Sequence, residues 1–169
     1  AHAEKRGAKI WARLLGTGSS CVFTMPGTVT GIRRSLANAM QSALRNAGLE
    51  PGDIGHINAH GLGTRESDIE ESKAIIDVFG PDLGKRIPVT APKSFMGNSG
   101  AGSGTLELAA SIAGLSHGVI PHTLNYETQD PECPLNVVSG SPRPTDNKIV
   151  LNINVTRAGQ ATASIVEVY

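Results

Sequence analysis

The sequence predicts an α/β fold: a mixed sheet with parallel pairs, covered by helices. Three observations predict it. Short apolar strand-like runs alternate with helical patterns, which is the signature of parallel strands joined through helices. The last two apolar runs, Lys148–Val155 and Thr162–Val168, flank a tight segment and read as a hairpin, so part of the sheet is antiparallel. The chain has 169 residues, enough for one domain (1–169) with a real core.

The elements follow in order. Ala1–Gly7 reads as the end of a helix closed by a glycine cap, an opening that suggests a chain cut from something longer. Ile10–Gly16, extending toward Phe23, reads as a strand. Thr28 or Thr30 can cap a helix whose apolar face is Leu36, Ala37, Met40, Ala43, Leu44 and Ala47; Gly48 and Pro51 end it. Ile54–Ala59 is a short strand and Asp68–Phe79 a helix with Ile69, Ile75, Ile76 and Phe79 inward. Ile87–Thr90 is a further strand. Gly102–His117 is a helix of small residues, suited to a buried, tightly packed position. Asn125–Thr145 is a proline-marked loop.

Composition excludes several classes of function. Fifteen basic residues balance fifteen acidic ones, so nothing draws the chain to nucleic acid or to an anionic membrane. No apolar run approaches the roughly 18 residues of a membrane span. Cys21 and Cys133 lie far apart and form no metal-ligand spacing. Without a secretion signal, both cysteines read as reduced and the protein as cytosolic.

Three segments can carry chemistry. In Ile57-Asn-Ala-His60-Gly-Leu-Gly-Thr64, a histidine ends a short strand, where α/β sheets bind ligands. His60 can there donate to a carbonyl or exchange protons near neutral pH, or it can simply cap the strand. In Pro92-Lys93-Ser-Phe-Met-Gly97-Asn98, a lysine and a carboxamide flank a turn into a helix, a setting that favours developing negative charge. A solvated lysine on a glycine loop is the alternative. Asp68 and Glu71 share one helix face, and Glu107 lies in the third helix; any of the three could hold Lys93, or be surface charge.

Together these segments resemble the β-ketoacyl-(acyl carrier protein) synthases. That family reads Asn-Ala-His-Gly-Thr, then Asp and Glu eight and eleven residues after the His, here Asp68 and Glu71. It then reads Lys-Ser-x-x-Gly-His and a Glu fourteen residues after the Lys, here Lys93, Ser94, Gly97 and Glu107. Gly118-Val-Ile-Pro121-His-Thr-Leu-Asn125 is similar to the family's Gly-x-x-Pro-Pro-Thr-x-Asn.

The resemblance implies the C-terminal half of a thiolase-like fold, with a five-stranded mixed sheet, and a nucleophilic cysteine in the N-terminal half. It implies decarboxylative condensation of malonyl-carrier protein with an acyl thioester in fatty acid or polyketide synthesis. His60 would donate to the malonyl thioester carbonyl and Lys93 would organise the site, tied to Glu71 and Glu107. Thr64 would hold the pantetheine arm. Acyl carrier protein, acyl and malonyl thioesters, the N-terminal half and a homo- or heterodimeric second subunit are the implied partners, with no cofactor beyond the phosphopantetheine carried by the substrates. The sequence departs from the family at three places. The second histidine is Asn98, as in the Cys-His-Asn set of the initiating synthases. Leu62 replaces a threonine, and the gating Gly-Phe-Gly-Gly turn becomes Arg157-Ala158-Gly159-Gln160, which puts Ala158 and Gly159 at the acyl pocket. These departures leave a second expectation, a non-catalytic partner like the chain-length factors. Neither Cys21 nor Cys133 occupies a nucleophile setting, so the chain alone is expected to be inactive.

Overall fold

A computed structural model describes residues 2–23 and 31–169; the helix caps expected at Thr28 or Thr30 lie outside the described residues. A mixed six-stranded sheet runs in the order β1 (Ala12–Cys21), β8 (Gln160–Val168), β7 (Ile149–Val155), β2 (His56–Asn58), β3 (Pro88–Thr90), β5 (Asn136–Val137). The pairs β1–β8 and β8–β7 are antiparallel, and β7–β2, β2–β3 and β3–β5 are parallel. The α/β class holds, but among the described residues this sheet has six strands rather than five. The additional strand, β5, is two residues inside the proline-marked loop, too short to give any periodic signal.

Helices cover both faces. On one side α2 (Ile32–Ala47) and α3 (Arg65–Arg86) bury Leu36, Met40, Ile75 and Phe79 against Ile57, Leu151, Ile153 and Ile165. Alternation along β7 sends Val150 and Asn152 to the other side, where α5 (Ser103–Ser116) lies. Gly16 and Gly18 let α2 rest backbone-on-backbone over β1: a Cβ at Gly18 would meet the Ala39 carbonyl oxygen at 2.1 Å. α3 extends beyond the expected Asp68–Phe79, and breaks where that span ends, because Gly80 adopts φ 76° and Pro81 follows. A short helix, α1 (His2–Lys5), precedes Gly7, whose φ of 64° is the left-handed cap expected there.

The helix of small residues is not buried all round. Within these 169 residues α5 buries one stripe, Ser103, Glu107, Ser111 and Leu115, at a four-residue spacing. Three of those four are polar, and they face polar strand residues: His56 Nε2 and Asn58 Nδ2 both lie 3.3 Å from Ser111 Oγ. Burial holds His56 far below the ordinary histidine range, at about 4, so it is neutral at physiological pH.

Candidate active site

The site is assembled at the carboxyl ends of β2 and β3. His60 follows β2 by two residues, and the short helix α4 (Lys93–Met96) follows β3, so the two side chains emerge side by side from adjacent parallel strands. Lys93 is buried and forms an ion pair with Glu107, which is fully buried on α5. The same ammonium lies 3.3 Å from His60 Nδ1.

Glu71 does not pair directly with Lys93, contrary to expectation. Its Oε1 accepts the backbone N–H of His60 at 2.6 Å and its Oε2 accepts that of Gly61 at 2.9 Å. Asp68, one turn earlier, lies near the backbone N–H groups of Leu62 and Gly63, which oppose the upward push of burial on its carboxyl. Glu71 therefore clamps two successive N–H groups of the loop that carries His60. The reason is geometric. Gly61, with φ 49°, turns the N–H groups toward the start of α3, and an added Cβ there would lie 2.7 Å from Ala91 Cβ.

Electrostatics follow from burial. Glu71 is pushed up to about 7, first by burial, against the opposing bonds from Gly61 and His60. Burial likewise raises Asp68 and Glu107, with Lys93 and the nearby Asn154 acting the other way on Glu107. His60 is lowered by burial and then by the Lys93 charge.

A cavity of about 570 Å³ opens beside the loop, with Gly61, Asp68, Lys93, Asn98 and Cys133 among its walls. Asn98 is exposed, and its Oδ1 accepts from Ser103 Oγ–H and Gly100 N–H, both at 3.0 Å, which leaves its Nδ2 free to donate outward. Thr64 is exposed at the start of α3, and its hydroxyl makes no capping bond. Ala158 is exposed and Gly159 buried in the β7–β8 turn; neither is a wall of this cavity. Cys21 is exposed at the end of β1. Burial, reinforced by Asp130, Asp68 and Glu132, pushes the Cys133 thiol up to about 11. Among the described residues no His, Cys, Asp and Glu group could hold a metal ion, and no helix is long and apolar enough to cross a membrane.

Asn154 was not foreseen. Its Oδ1 lies 3.2 Å from His60 Nδ1. The only hint in the sequence is the alternation Asn152-Ile-Asn154 in an otherwise apolar strand, which marks a polar inner face.

Residues 12–127 match the family described as Beta-ketoacyl synthase, C-terminal domain. The chain belongs to the β-ketoacyl synthase family. This ketoacyl synthase domain is 41% identical over 152 residues to 3-oxoacyl-[acyl-carrier-protein] synthase 2 of Mycobacterium tuberculosis, an alignment covering 89% of the chain and 36% of the relative. It is 38% identical over 170 residues to the tetracenomycin polyketide synthase ketoacyl synthase alpha subunit of Streptomyces glaucescens, covering 96% and 38%. Among solved structures, the ishigamide ketosynthase/chain length factor superposes with a TM-score of 0.89 at 37% identity, over 99% of this domain and 40% of that chain. A type II polyketide acyl-carrier protein in complex with its ketosynthase gives 0.91 at 28% identity, over 99% and 41%. The ketoacyl synthase domain described here thus spans well under half the length of these relatives.

Proposed function

We propose that this chain supplies the histidine–lysine part of a condensing enzyme that joins an acyl thioester to malonyl-carrier protein with loss of carbon dioxide. The observation that carries the reading is the Lys93 ammonium, ion-paired to Glu107 and 3.3 Å from His60 Nδ1. An ammonium can only donate, so it favours a lone pair on Nδ1 and a proton on Nε2. His60, kept neutral by burial and by that charge, then offers Nε2–H to a thioester carbonyl.

The chemistry balances without a cofactor. The acyl group moves from its carrier thiol to a cysteine that lies in neither Cys21 nor Cys133, and so outside these 169 residues. Malonyl thioester loses carbon dioxide, and the bonding pair becomes an enolate whose oxygen is held by His60 Nε2–H and Asn98 Nδ2–H. The enolate carbon attacks the acyl thioester, and the cysteine thiolate leaves. One such donor is worth roughly 10²–10³ in rate. Thr64, with its free hydroxyl, is suited to the pantetheine arm. Acyl carrier protein, an N-terminal half and a second subunit are the partners this reading requires, in the cytosol.

The test is malonyl decarboxylation by the full-length protein. His60→Ala should abolish it, Asn98→Ala should reduce it strongly, and Asn98→His should retain or raise it. Unchanged decarboxylation in Asn98→Ala would favour a non-catalytic, chain-length-factor-like subunit, a reading that Leu62 and the exposed Ala158 also support.

A further inference from the structure

Asn154 stands at the end of β7, with its side chain between α5 and His60. Gly104 makes the room: a Cβ there would meet Asn154 Nδ2 at 2.9 Å. Asn154 also lies near Glu107, where it opposes the upward push of burial on that carboxyl. The Asn154 carboxamide presents its Oδ1 3.2 Å from His60 Nδ1.

His60 Nδ1 therefore has two neighbours with opposite demands. Lys93 offers only donors, and Asn154 Oδ1 only accepts. A neutral imidazole has one proton for two nitrogens. With that proton on Nε2, Lys93 is satisfied and Asn154 is not; on Nδ1 the reverse holds.

We propose that Asn154 is a positioning residue that gives His60 Nδ1 an acceptor, so that the ring can take a second proton beside the Lys93 ammonium. The charged and titratable groups around His60 are Lys93 from α4, Glu107 from α5, and Glu71 and Asp68 from α3. Lys93 opposes the second proton, and the three carboxylates favour it in so far as they are ionised. Glu71 bonds the His60 backbone rather than the ring, so Asn154 Oδ1 is the acceptor that meets the ring itself. In condensation, which is the one point resting on the proposed function, an imidazolium holds a developing enolate oxygen more strongly than a neutral ring does.

The experiment is a titration of full-length protein labelled with ¹⁵N-histidine, with the His60 signals assigned by their loss in His60→Gln. Asn154→Leu keeps the branched heavy-atom skeleton and has no acceptor. Its His60 midpoint should fall by about one pH unit, the scale on which close neighbours move titrations, and its neutral ring should be wholly Nε2–H. Asn154→Asp should raise the midpoint and bring up the Nδ1–H form. Gly104→Ala, which crowds the carboxamide, should lower the midpoint part of the way and serves as the test if Asn154→Leu does not fold. A purely structural role would not shift Leu and Asp variants in opposite directions. Same-direction shifts, or an unmoved midpoint and tautomer in folded Asn154→Leu or Gly104→Ala, overturn the proposal. The signals are read without substrate, so a protein that fails to decarboxylate malonyl thioester leaves this test intact.

Discussion

Glu71 holds His60 by its backbone: the Glu71 Oε1 accepts the His60 N–H at 2.6 Å, and the other carboxylate oxygen takes the next N–H, that of Gly61. A buried carboxylate is costly, and this one is raised to about 7 by that burial. It is retained where two N–H groups would otherwise be buried without partners. Glu71→Ala should destabilise the protein by about 2–6 kcal/mol, at roughly 1–3 kcal/mol for each of the two orphaned N–H groups. Glu71→Gln keeps one acceptor and should lose less. Urea unfolding of the two variants checks the order, and equal losses would mean that the second N–H bond contributes nothing.

The Lys93–Glu107 pair gives a second expectation. Removing one partner strands the other in a dry site, at about 3–5 kcal/mol, whereas removing both is far milder. Lys93→Met should therefore be much less stable than Lys93→Met combined with Glu107→Gln. In the double variant the His60 titration should move up, because the Lys93 charge is one of the two causes that lower it. A double variant no more stable than the single one would show that the pair is not coupled.

How far the sequence reached depends on which direction of space a pattern encodes. The α2 face, Leu36, Met40, Ala43 and Leu44, was readable because helical spacing reports which residues turn inward together. The β7–β8 hairpin was readable from two apolar runs around a short connection. Lys93 with Glu107 was readable only through the family's spacing. What stands opposite a helix face is not encoded by that face. Asp68 and Glu71 share one helix face, but the partners of Glu71 are the backbone N–H groups of His60 and Gly61, a direction set by the Gly61 turn. Asn154 was invisible because it meets His60 across 94 residues of chain. The two-residue strands β4 (Val119–Ile120), β5 and β6 (Arg143–Pro144) carry no period at all.

His56 and Glu71 should give stability opposite dependences on pH. His56 titrates at about 4 when folded against 6.5 unfolded, so the unfolded chain binds more protons between those values. Stability from His56 is thus complete above pH 6.5 and is lost as pH falls toward 4, by about 3 kcal/mol in all. Glu71 is raised from 4.5 to about 7, so the folded state binds more protons there and stability falls as pH rises through that window. The difference in unfolding free energy between wild type and His56→Asn should grow from pH 4 to pH 6.5. A flat difference would show that His56 protonates as readily folded as unfolded.

The last expectation concerns the two cysteines. A nucleophilic cysteine needs an accessible thiolate, usually beside a base or a helix N-terminus. Cys133 has the opposite environment: a half-buried thiol among Asp130, Asp68 and Glu132, pushed up to about 11. At pH 8 roughly one Cys133 in a thousand is thiolate, so alkylation there should be very slow. Cys21 is exposed and should be modified first, which peptide mapping after iodoacetamide treatment at pH 8 would reveal. Cys21 lies at the end of β1, and neither it nor Cys133 is a hydrogen-bond partner of His60 or Lys93. Offered acyl- and malonyl-carrier protein, the 169-residue chain by itself should make no 3-ketoacyl product. Turnover by this chain that disappears on replacing Cys21 or Cys133 with serine would place the nucleophile here and overturn the division of the active site between two halves.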